Sequence, residues 1–288
     1  MYKQNAVPDL IETNFIVKYR TPTDENPYIM VNSHYHEDDY EVFYLIEGER
    51  YYFLKDRTYH IKKGDLVLID RNEIHKSSNV KSHKHKRVLV QFKHKFLDEI
   101  IKTNNDVNLV SCFVGEQKIL RLDFKEQDFI EDLFRKMYFE QTNKQIGSEL
   151  YNKVKLTELL LYINRILAKH TNYKFDHPNS LHEKISEVVK YLNENFTGEI
   201  SLQRVSEHFF ISPNYLCKIF KETTGFTLIE YLNQIRIKQA KYLLKNSSLN
   251  VSQIFEECGF GTMTHFERIF KRMTGYSPLK YRKVTCYT

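Results

Sequence analysis

Histidines and carboxylates, the side chains best suited to bind a metal or a polar small molecule, are concentrated near residue 40. The segment reads His34-Tyr-His36-Glu-Asp-Asp-Tyr-Glu41. Imidazole and carboxylate groups can ligate a first-row metal or hydrogen-bond a hydroxylated or charged ligand. A second run, His83-Lys-His85-Lys-Arg87, alternates histidine with cations that would repel a metal ion. The first run therefore predicts a binding role, and the second predicts an exposed loop or strand edge.

Size and composition indicate a cytoplasmic protein of two globular domains. The chain has 288 residues, 41% of them hydrophobic, which is enough for two domains that each bury a core. It has no run of about eighteen apolar residues and no apolar N-terminal segment, so neither a membrane span nor a secretory signal is expected. The cysteines show no CxxC spacing and are interpreted as reduced thiols. They are Cys112, Cys217, Cys258 and Cys286.

Positive charge is concentrated in the last third of the chain. Residues 181–288 contain 15 Lys and Arg against 10 Glu and no Asp, whereas residues 1–180 contain 28 basic against 27 acidic residues. A basic excess confined to one region is typical of a segment that meets a polyanion such as DNA. A solvated basic surface would give the same count, so charge alone leaves both interpretations open.

Three successive sequence patterns predict an α+β chain of two domains. Short aromatic and β-branched runs, such as Glu41–Ile46, Tyr51–Leu54 and Leu66–Ile69, are separated by turn residues and predict a β-sandwich or β-barrel. Helical periodicity follows, then a polar stretch with proline, then an all-helical region. The expected boundaries are residues 1–122 for the β domain, 123–170 for a helical dimerisation segment, 171–180 for a linker and 181–288 for the all-α domain.

Two apolar stripes with helical spacing lie between the domains. Each stripe must be buried against the β domain, against the other helix or against a second subunit. A homodimer is therefore one of the expected assemblies. The stripes comprise Phe129, Ile130, Leu133, Phe134 and Met137, and Tyr151, Val154, Leu159, Ile163, Ile166 and Leu167.

Capping signals divide the C-terminal region into short helices. Ser180–Glu183 and Thr227–Glu230 have the spacing of capping boxes. Ser201 is expected to cap another helix. Ser212 and Ser277 each precede a proline, which is favoured at the first position of a helix.

An internal repeat gives the most specific signal in this region. Phe220-Lys-Glu-Thr-Thr-Gly-Phe-Thr227 recurs fifty residues later as Phe270-Lys-Arg-Met-Thr-Gly-Tyr-Ser277. Each copy reads as a short helix, a turn, a second helix and a glycine, Gly225 or Gly275, in a left-handed C-cap. The pattern predicts two helix-turn-helix motifs.

The helix expected between the two copies has the right length to span DNA half-sites. Residues 227–245 number 19, which gives a rod of roughly 28 Å at about 1.5 Å per residue. Half-sites on one face of B-DNA lie about 34 Å apart. One chain could therefore hold two recognition helices in successive major grooves.

Residues 181–284 resemble the AraC/XylS family of transcriptional regulators at many independent positions. The resemblance implies a double helix-turn-helix that binds promoter DNA, in an activator or a repressor. At two positions where the family usually has alanine this chain has Ser206 and Phe255, and the bulky Phe255 predicts some repacking of the second motif. The matching positions of the second motif are Gly259-Phe260, Phe266, Phe270-Lys271, Gly275, Ser277-Pro278 and Tyr281-Arg282.

The resemblance also implies which side chains meet DNA, namely the exposed face of the second helix in each motif. Lysine and arginine can donate to guanine, asparagine can pair with adenine, and methionine or a threonine methyl can contact thymine. The expected base-reading residues are Asn214, Cys217 and Lys218, and Met263, Thr264, His265 and Arg268. The expected phosphate contacts, about one turn further on, are Lys221, Lys271 and Arg272.

Residues 28–93 resemble the cupin family of small β-barrels. The run from His34 to Glu41, followed by Gly48, matches the first cupin motif. The second motif is matched by Gly64, His75 and Asn79, with Asp70 and Asn72 where cupins usually have proline and glycine. In AraC-type regulators such a barrel implies a ligand-sensing domain. Its expected pocket residues are His34, His36, Glu41 and His75, joined by Phe43 and Leu45, which strand alternation places on the Glu41 side.

Whether this pocket holds a metal is left open by the sequence. In cupin enzymes the positions of those three histidines and Glu41 hold a first-row metal. Sensor cupins of AraC-type regulators usually work without one, so no cofactor is expected. The expected ligand is a small-molecule effector. In a chain without tryptophan, its stacking rings are expected from Tyr35, Tyr44, Tyr51 and Tyr52.

Three rival functions are weaker. A metal-dependent cupin oxygenase or isomerase would gain nothing obvious from a double DNA-binding motif. A DNA-repair methyl acceptor requires a cysteine in a polarising site, and none of the four has that context. A scaffold protein leaves the repeat unexplained. We therefore expect a transcription regulator and not an enzyme. Its expected partners are double-stranded DNA, a small-molecule effector, a second copy of the chain and RNA polymerase.

Overall fold

The computed structural model describes residues 14–21, 39–71, 73–80, 84–103, 106–169 and 179–285. They form two compact units, an N-terminal one built on β-strands and a C-terminal one built on helices, so the predicted α+β architecture is confirmed. None of the helices described combines the length and apolar character needed to cross a bilayer. His34, His36, Asn72, His83 and Cys286 lie outside the described residues.

The N-terminal unit contains two sheets that face each other. The described strands are β1 (Phe15–Arg20), β2 (Asp39–Glu47), β3 (Glu49–Leu54), β4 (Arg57–Lys62), β5 (Asp65–Ile69), β6 (His75–Asn79), β7 (Lys86–Lys93) and β8 (Ile119–Arg121). One sheet has the order β1-β7-β2-β5-β8 and the other β4-β3-β6. The three strand runs predicted from the sequence fall within β2, β3 and β5.

Strand β2 is buried on both faces and separates two cores. Phe43 and Leu45 pack between the sheets, where the rings of Phe43 and Tyr52 have centroids 5.1 Å apart. Val42 and Tyr44 point the other way, into the core under the helices. Alternation along the strand therefore places Phe43 and Leu45 on the face of Glu41, as predicted.

Helices cover the outer face of the five-stranded sheet. They are α1 (Asp98–Thr103), α2 (Ser111–Val114), α3 (Phe124–Asn143) and α4 (Ser148–Lys169), after a 3-10 turn at His94–Phe96. Asp123 and Glu126 form a capping box at the start of α3. The Tyr44 hydroxyl donates to Glu131 of α3 over 2.7 Å. The buried part of the predicted α3 stripe comprises Ile130, Leu133, Phe134 and Met137.

The stripe predicted for α4 is wrong over its first turns. Tyr151 and Val154 are 38% and 51% exposed. The buried face begins instead at Asn152, a polar residue that conceals the pattern from a reading of apolar spacing. It continues through Leu156, Leu159, Leu160, Ile163 and Ile166.

The C-terminal unit consists of helices α5 (Ser180–Asn195), α6 (Leu202–His208), α7 (Pro213–Thr224), α8 (Leu228–Asn246), α9 (Val251–Glu257), α10 (Met263–Thr274) and α11 (Pro278–Thr285). The capping box of Thr227 and Glu230 and the Ser201 cap are confirmed. The box predicted at Ser180 is wrong, because Asn179 caps α5 by accepting from the His182 N–H and Ser180 is already helical.

The internal repeat has the same hydrogen bonds in both copies. Gly225 and Gly275 have φ of 86° and 77°, and each donates its N–H over 2.9 Å to the carbonyl of the lysine four residues earlier. In each copy the threonine before the glycine donates its hydroxyl to a helix carbonyl over 2.8 Å, Thr224 to Phe220 and Thr274 to Phe270. Helices α7 and α10 therefore end in the same left-handed cap.

Two arginines, the buried Arg236 and the half-buried Arg282, stabilise helix ends inside this unit. Arg236 of α8 donates to the carbonyls of Phe196 and Gly198, each over 2.8 Å, just beyond the end of α5. Arg282 of α11 donates to the Leu244 and Leu249 carbonyls around the end of α8. These guanidinium groups satisfy carbonyls that a helix end leaves without partners.

Candidate nucleic-acid interface and sensor pocket

Helix α7 carries the first set of predicted DNA contacts on its outer face. Leu216 and Phe220 are buried and anchor the helix. Asn214, Lys218 and Lys221 are exposed, and Cys217 is half-buried at the edge of the same face. The donors and the amide are thus available to a groove, while the anchor keeps the helix fixed.

Helix α10 presents the second set in the same way. Its anchor is Phe266, Ile269 and Phe270. Thr264, Arg268, Lys271 and Arg272 are exposed, and Met263 and His265 are half-buried. The Thr262 hydroxyl caps α10 by accepting from the His265 N–H over 3.2 Å. The first turn of α10 therefore carries polar side chains, and in helix-turn-helix proteins the N-terminal residues of the second helix contact base edges.

The two recognition helices pack on opposite halves of α8. At its start, Tyr231 meets Phe220 of α7 with ring centroids 5.7 Å apart. Towards its end, Ile237, Ala240 and Leu244 share a core with Phe266 of α10. Helix α8 has 19 residues and is therefore roughly 28 Å long. The two motifs contact it near opposite ends, so most of this length lies between them.

Sequence reasoning missed two exposed residues of this surface. Tyr215 is 52% exposed on α7, and Glu267 is exposed on α10. The repeat itself could have revealed them, since fifty residues separate Tyr215 from His265 and Cys217 from Glu267. A glutamate can accept from the amino group of cytosine, so Glu267 extends the candidate reading face.

The charge state of His265 is set by its neighbours. Burial, together with the guanidinium groups of Arg268, Arg236 and Arg272, lowers the pKa of His265 below its ordinary value. The imidazole is therefore neutral at pH 7. In that form it donates from one ring nitrogen and accepts at the other.

The effect of Phe255 is a local ring contact. Its ring centroid lies 6.2 Å from that of Phe266, and the side chain is half-buried. Helix α9 keeps the same 7-residue length as α6. Ser206, the other departure, is buried with its hydroxyl donating to the Gln203 carbonyl.

In the N-terminal unit, Glu41 lies at the centre of a buried polar group between the sheets. Its carboxylate accepts from the Gln91 amide over 2.9 Å and from the Tyr52 hydroxyl over 3.5 Å. The Nε2 of His75 lies 3.8 Å from the same carboxylate. The ring of His75 is parallel to that of Tyr52, within 7°. These groups form a buried polar cluster between the sheets.

The structure selects among the other sensor candidates. Of the tyrosines proposed for stacking, Tyr52 faces the space between the sheets, whereas Tyr44 faces α3 and Tyr51 packs on His60. Tyr35 lies outside the described residues.

The exposed loop or edge predicted for the basic histidine run is wrong for two of its residues. His85 and Arg87 are each 3% exposed, because the segment enters β7 and alternates buried with exposed positions. The flanking Lys84 and Lys86 are the exposed members.

The absence of a metal cofactor from this pocket stays a prediction. Of the four candidate ligands, only Glu41 and His75 belong to the described residues. Within that part of the chain no group of three or more His, Cys, Asp and Glu is placed to hold a metal ion.

A doubled helix-turn-helix in one unit, together with two facing sheets that enclose a buried polar group in the other, defines a DNA-binding regulator with a sensor domain. Residues 205–284 match the family described as a helix-turn-helix domain, and residues 26–92 match the cupin domain. The chain belongs to the AraC-type transcriptional regulators, which bind DNA through this domain.

Curated relatives agree with this assignment. One is YijO, an uncharacterized regulator of Escherichia coli, 38% identical over 93 residues that make up 32% of this chain and 33% of that protein. The transcriptional activator RhaR of Escherichia coli is 25% identical across 90% of this chain and 89% of its own length. The Msm operon regulatory protein of Streptococcus mutans is 22% identical, across 85% and 84% respectively.

Proposed function

We propose that this chain is a cytoplasmic, sequence-specific promoter-binding regulator whose affinity or geometry on DNA is set by a small molecule held between the two sheets. The observation that carries the DNA part is the repeated recognition helix. Two helices with the same cap and the same buried anchor each expose cations on one face. Because α8 holds α7 and α10 at a fixed separation, the arrangement favours binding to an extended operator over binding to any duplex.

Within this proposal the side chains divide by chemistry. Bases are read from groups able to discriminate their edges, and phosphates are held by cations further along each helix. The base-reading set is Asn214, Cys217, Lys218, Met263, Thr264, His265 and Arg268. The phosphate set is Lys221, Lys271 and Arg272.

Selection from fragmented genomic DNA tests the proposal. The purified full chain is incubated with the pool at physiological salt, and the bound fragments are sequenced. We expect enrichment of a few promoter fragments that share a motif with two half-sites. Uniform recovery of the pool would contradict sequence-specific regulation.

We infer a homodimer from the surface of α3 and α4. Most residues of the two apolar stripes are buried in the core under the sheet. An exposed apolar patch remains around the α3–α4 turn, next to a groove lined by Tyr19 and Tyr138. Such a patch favours contact with a second copy of the chain. The other exposed members of the patch are Phe139, Ile146, Leu150, Tyr151 and Val154.

Charging this patch is expected to dissociate the dimer. The double variant Phe139→Glu, Leu150→Glu places two carboxylates where an apolar contact must desolvate them. We expect a wild-type dimer and a monomeric variant at micromolar concentration in sedimentation velocity. Phe124→Glu is the control, because Phe124 is 84% exposed at the opposite end of α3 and should leave the dimer intact. A monomeric wild-type chain, with and without DNA, would refute the dimer.

Regulation would then work by changing the relative position of two subunits on DNA. A ligand in the sensor pocket shifts how α3 and α4 of two subunits pair, and the 171–180 segment passes that change to the DNA-binding units. The half-sites that two subunits reach together change as a result. RNA polymerase is a further proposed partner of the promoter-bound form.

A further inference from the structure

The turn between α6 and α7 holds a phenylalanine at a position that favours glycine. The Ile211 N–H donates to the Ser206 carbonyl over 2.9 Å. The Phe210 N–H donates to the Glu207 carbonyl over 3.2 Å. These two bonds form a Schellman motif, which requires a left-handed backbone at the Phe210 position. Phe210 has φ of 55°, a conformation that is unfavourable for any residue with a Cβ, so the turn contains a strained residue.

Burial of the ring does not offset this strain. The Phe210 side chain is 95% exposed, whereas the neighbouring Phe209 packs edge-on against Tyr191 with ring centroids 5.7 Å apart. In the second motif the phenylalanine fifty residues later, Phe260, is 5% exposed and lies 5.1 Å from the ring of Phe266. Strained residues that the packing does not explain are found preferentially at functional sites. The ring of Phe210 is therefore a candidate contact for a partner.

The position of Phe210 in its motif indicates that this partner is DNA. In helix-turn-helix proteins the first helix crosses the DNA backbone, and the N-terminal residues of the second helix contact base edges. The turn that joins the two helices therefore lies beside a DNA strand, at the edge of the major groove. Phe210 lies three residues before Pro213, the first residue of α7, and Ser212 and Asn214 are also exposed. The exposed ring thus adjoins the face of α7 that carries the proposed base-reading residues.

We propose that Phe210 is a DNA-contacting residue whose ring packs on the apolar side of a deoxyribose, at the edge of the groove that receives α7. The proposal rests on the proposed DNA contacts of α7 and adds an apolar contact to a face of polar and cationic groups. Burial of a ring that is exposed in the free protein stabilises the complex. Because every nucleotide has a deoxyribose, the contact strengthens binding to any duplex and reads no base.

Two substitutions in the full chain separate the ring from the backbone strain. Phe210→Ala removes the ring and keeps the strain, whereas Phe210→Gly removes both. We expect both variants to bind the selected promoter fragment and random duplex about 5- to 20-fold more weakly in fluorescence anisotropy. Phe210→Gly should at the same time raise the Tm of the C-terminal transition by about 2–4 °C, because the left-handed strain is relieved. A more stable variant that binds DNA less tightly would assign the ring to binding and not to folding.

Phe210→Tyr is the matched control, since it keeps an aromatic ring in the same turn and should bind both duplexes as the wild type does. Unchanged affinity of the alanine and glycine variants would overturn the DNA contact. A loss on the promoter fragment alone would overturn the deoxyribose contact, because the ring would then meet a base. A lower Tm for Phe210→Gly would contradict the proposal too, by showing that the ring stabilises the fold. Failure of the proposed function is seen separately, as uniform recovery of the genomic pool by the wild-type chain.

Discussion

Replacing Arg268 with alanine is expected to weaken operator binding by about 1–3 kcal/mol, roughly 5- to 150-fold in Kd, and to relax the preference at one base pair. Arg268 is exposed on α10 while its neighbour Ile269 is anchored in the core. Its guanidinium can donate two parallel hydrogen bonds to guanine O6 and N7. Fluorescence anisotropy with the operator, its single-base variants and random duplex measures the loss.

Lys271→Ala is the matched control for this experiment. Lys271 is exposed on the same helix about one turn later, where we expect its charge to meet phosphate rather than a base edge. It should weaken binding to the operator and to random duplex by the same factor. Equal losses on both duplexes for Arg268→Ala would instead remove Arg268 from the base-reading set.

Replacing Gly259 with alanine is expected to destabilise the C-terminal unit by about 3–4 kcal/mol, lowering its Tm by roughly 10 °C or more. Gly259 has φ of +72°, and a Cβ built there would lie 2.4 Å from the backbone oxygen of Thr197. The Thr197 segment cannot move away easily, because Arg236 holds the carbonyls on both sides of it. The α9–α10 turn must therefore shift, and α10 with it.

Gly275→Ala isolates the steric part of this cost. Gly275 has nearly the same φ, +77°, but a Cβ there would have nothing within 4 Å. Gly275→Ala should lower the stability of the C-terminal unit only by the strain of a left-handed backbone, about 1–2 kcal/mol. Thermal unfolding of both variants measures the difference. Similar losses for the two would show that the Thr197 contact does not constrain the turn.

Most of the C-terminal unit could be predicted from the sequence because its signals are local. A capping box, a proline at the first helical position and a glycine C-cap each act within a few residues, so their spacing alone locates helix ends. The internal repeat gives the same helix-end signals twice, so each motif supports the prediction of the other. Asn179 was missed at α5 because a second capping residue, Ser180, follows it immediately.

The turns were harder to foresee, since they depend on packing. The first motif joins its helices through four residues, 209–212, and the second through five, 258–262. Phe210 takes the positive φ, 55°, that the second motif gives to Gly259. A phenylalanine in that conformation is unfavourable, so no local rule predicts it.

The sensor pocket was only half predictable for a related reason. Glu41 and His75 were found by spacing along the chain, and alternation gave Phe43 and Leu45. Gln91 comes from β7, fifty residues away in sequence, and only the pairing of β7 with β2 brings it to Glu41. Strand order is set by long-range packing, so a pattern within one strand does not reveal its partner.

A salt titration of DNA binding by the full chain tests the central claim most directly. Affinities for a selected promoter fragment and for random duplex are measured at increasing salt, in the wild type and in Lys271→Ala. The account predicts a slope of log K against log salt of about −5 to −7, as expected for roughly six to eight phosphate contacts, with a preference for the promoter at every salt concentration. Lys271→Ala should make that slope shallower by about 1. A flat slope without preference would contradict the account, because the helices α7 and α10 would then not read DNA.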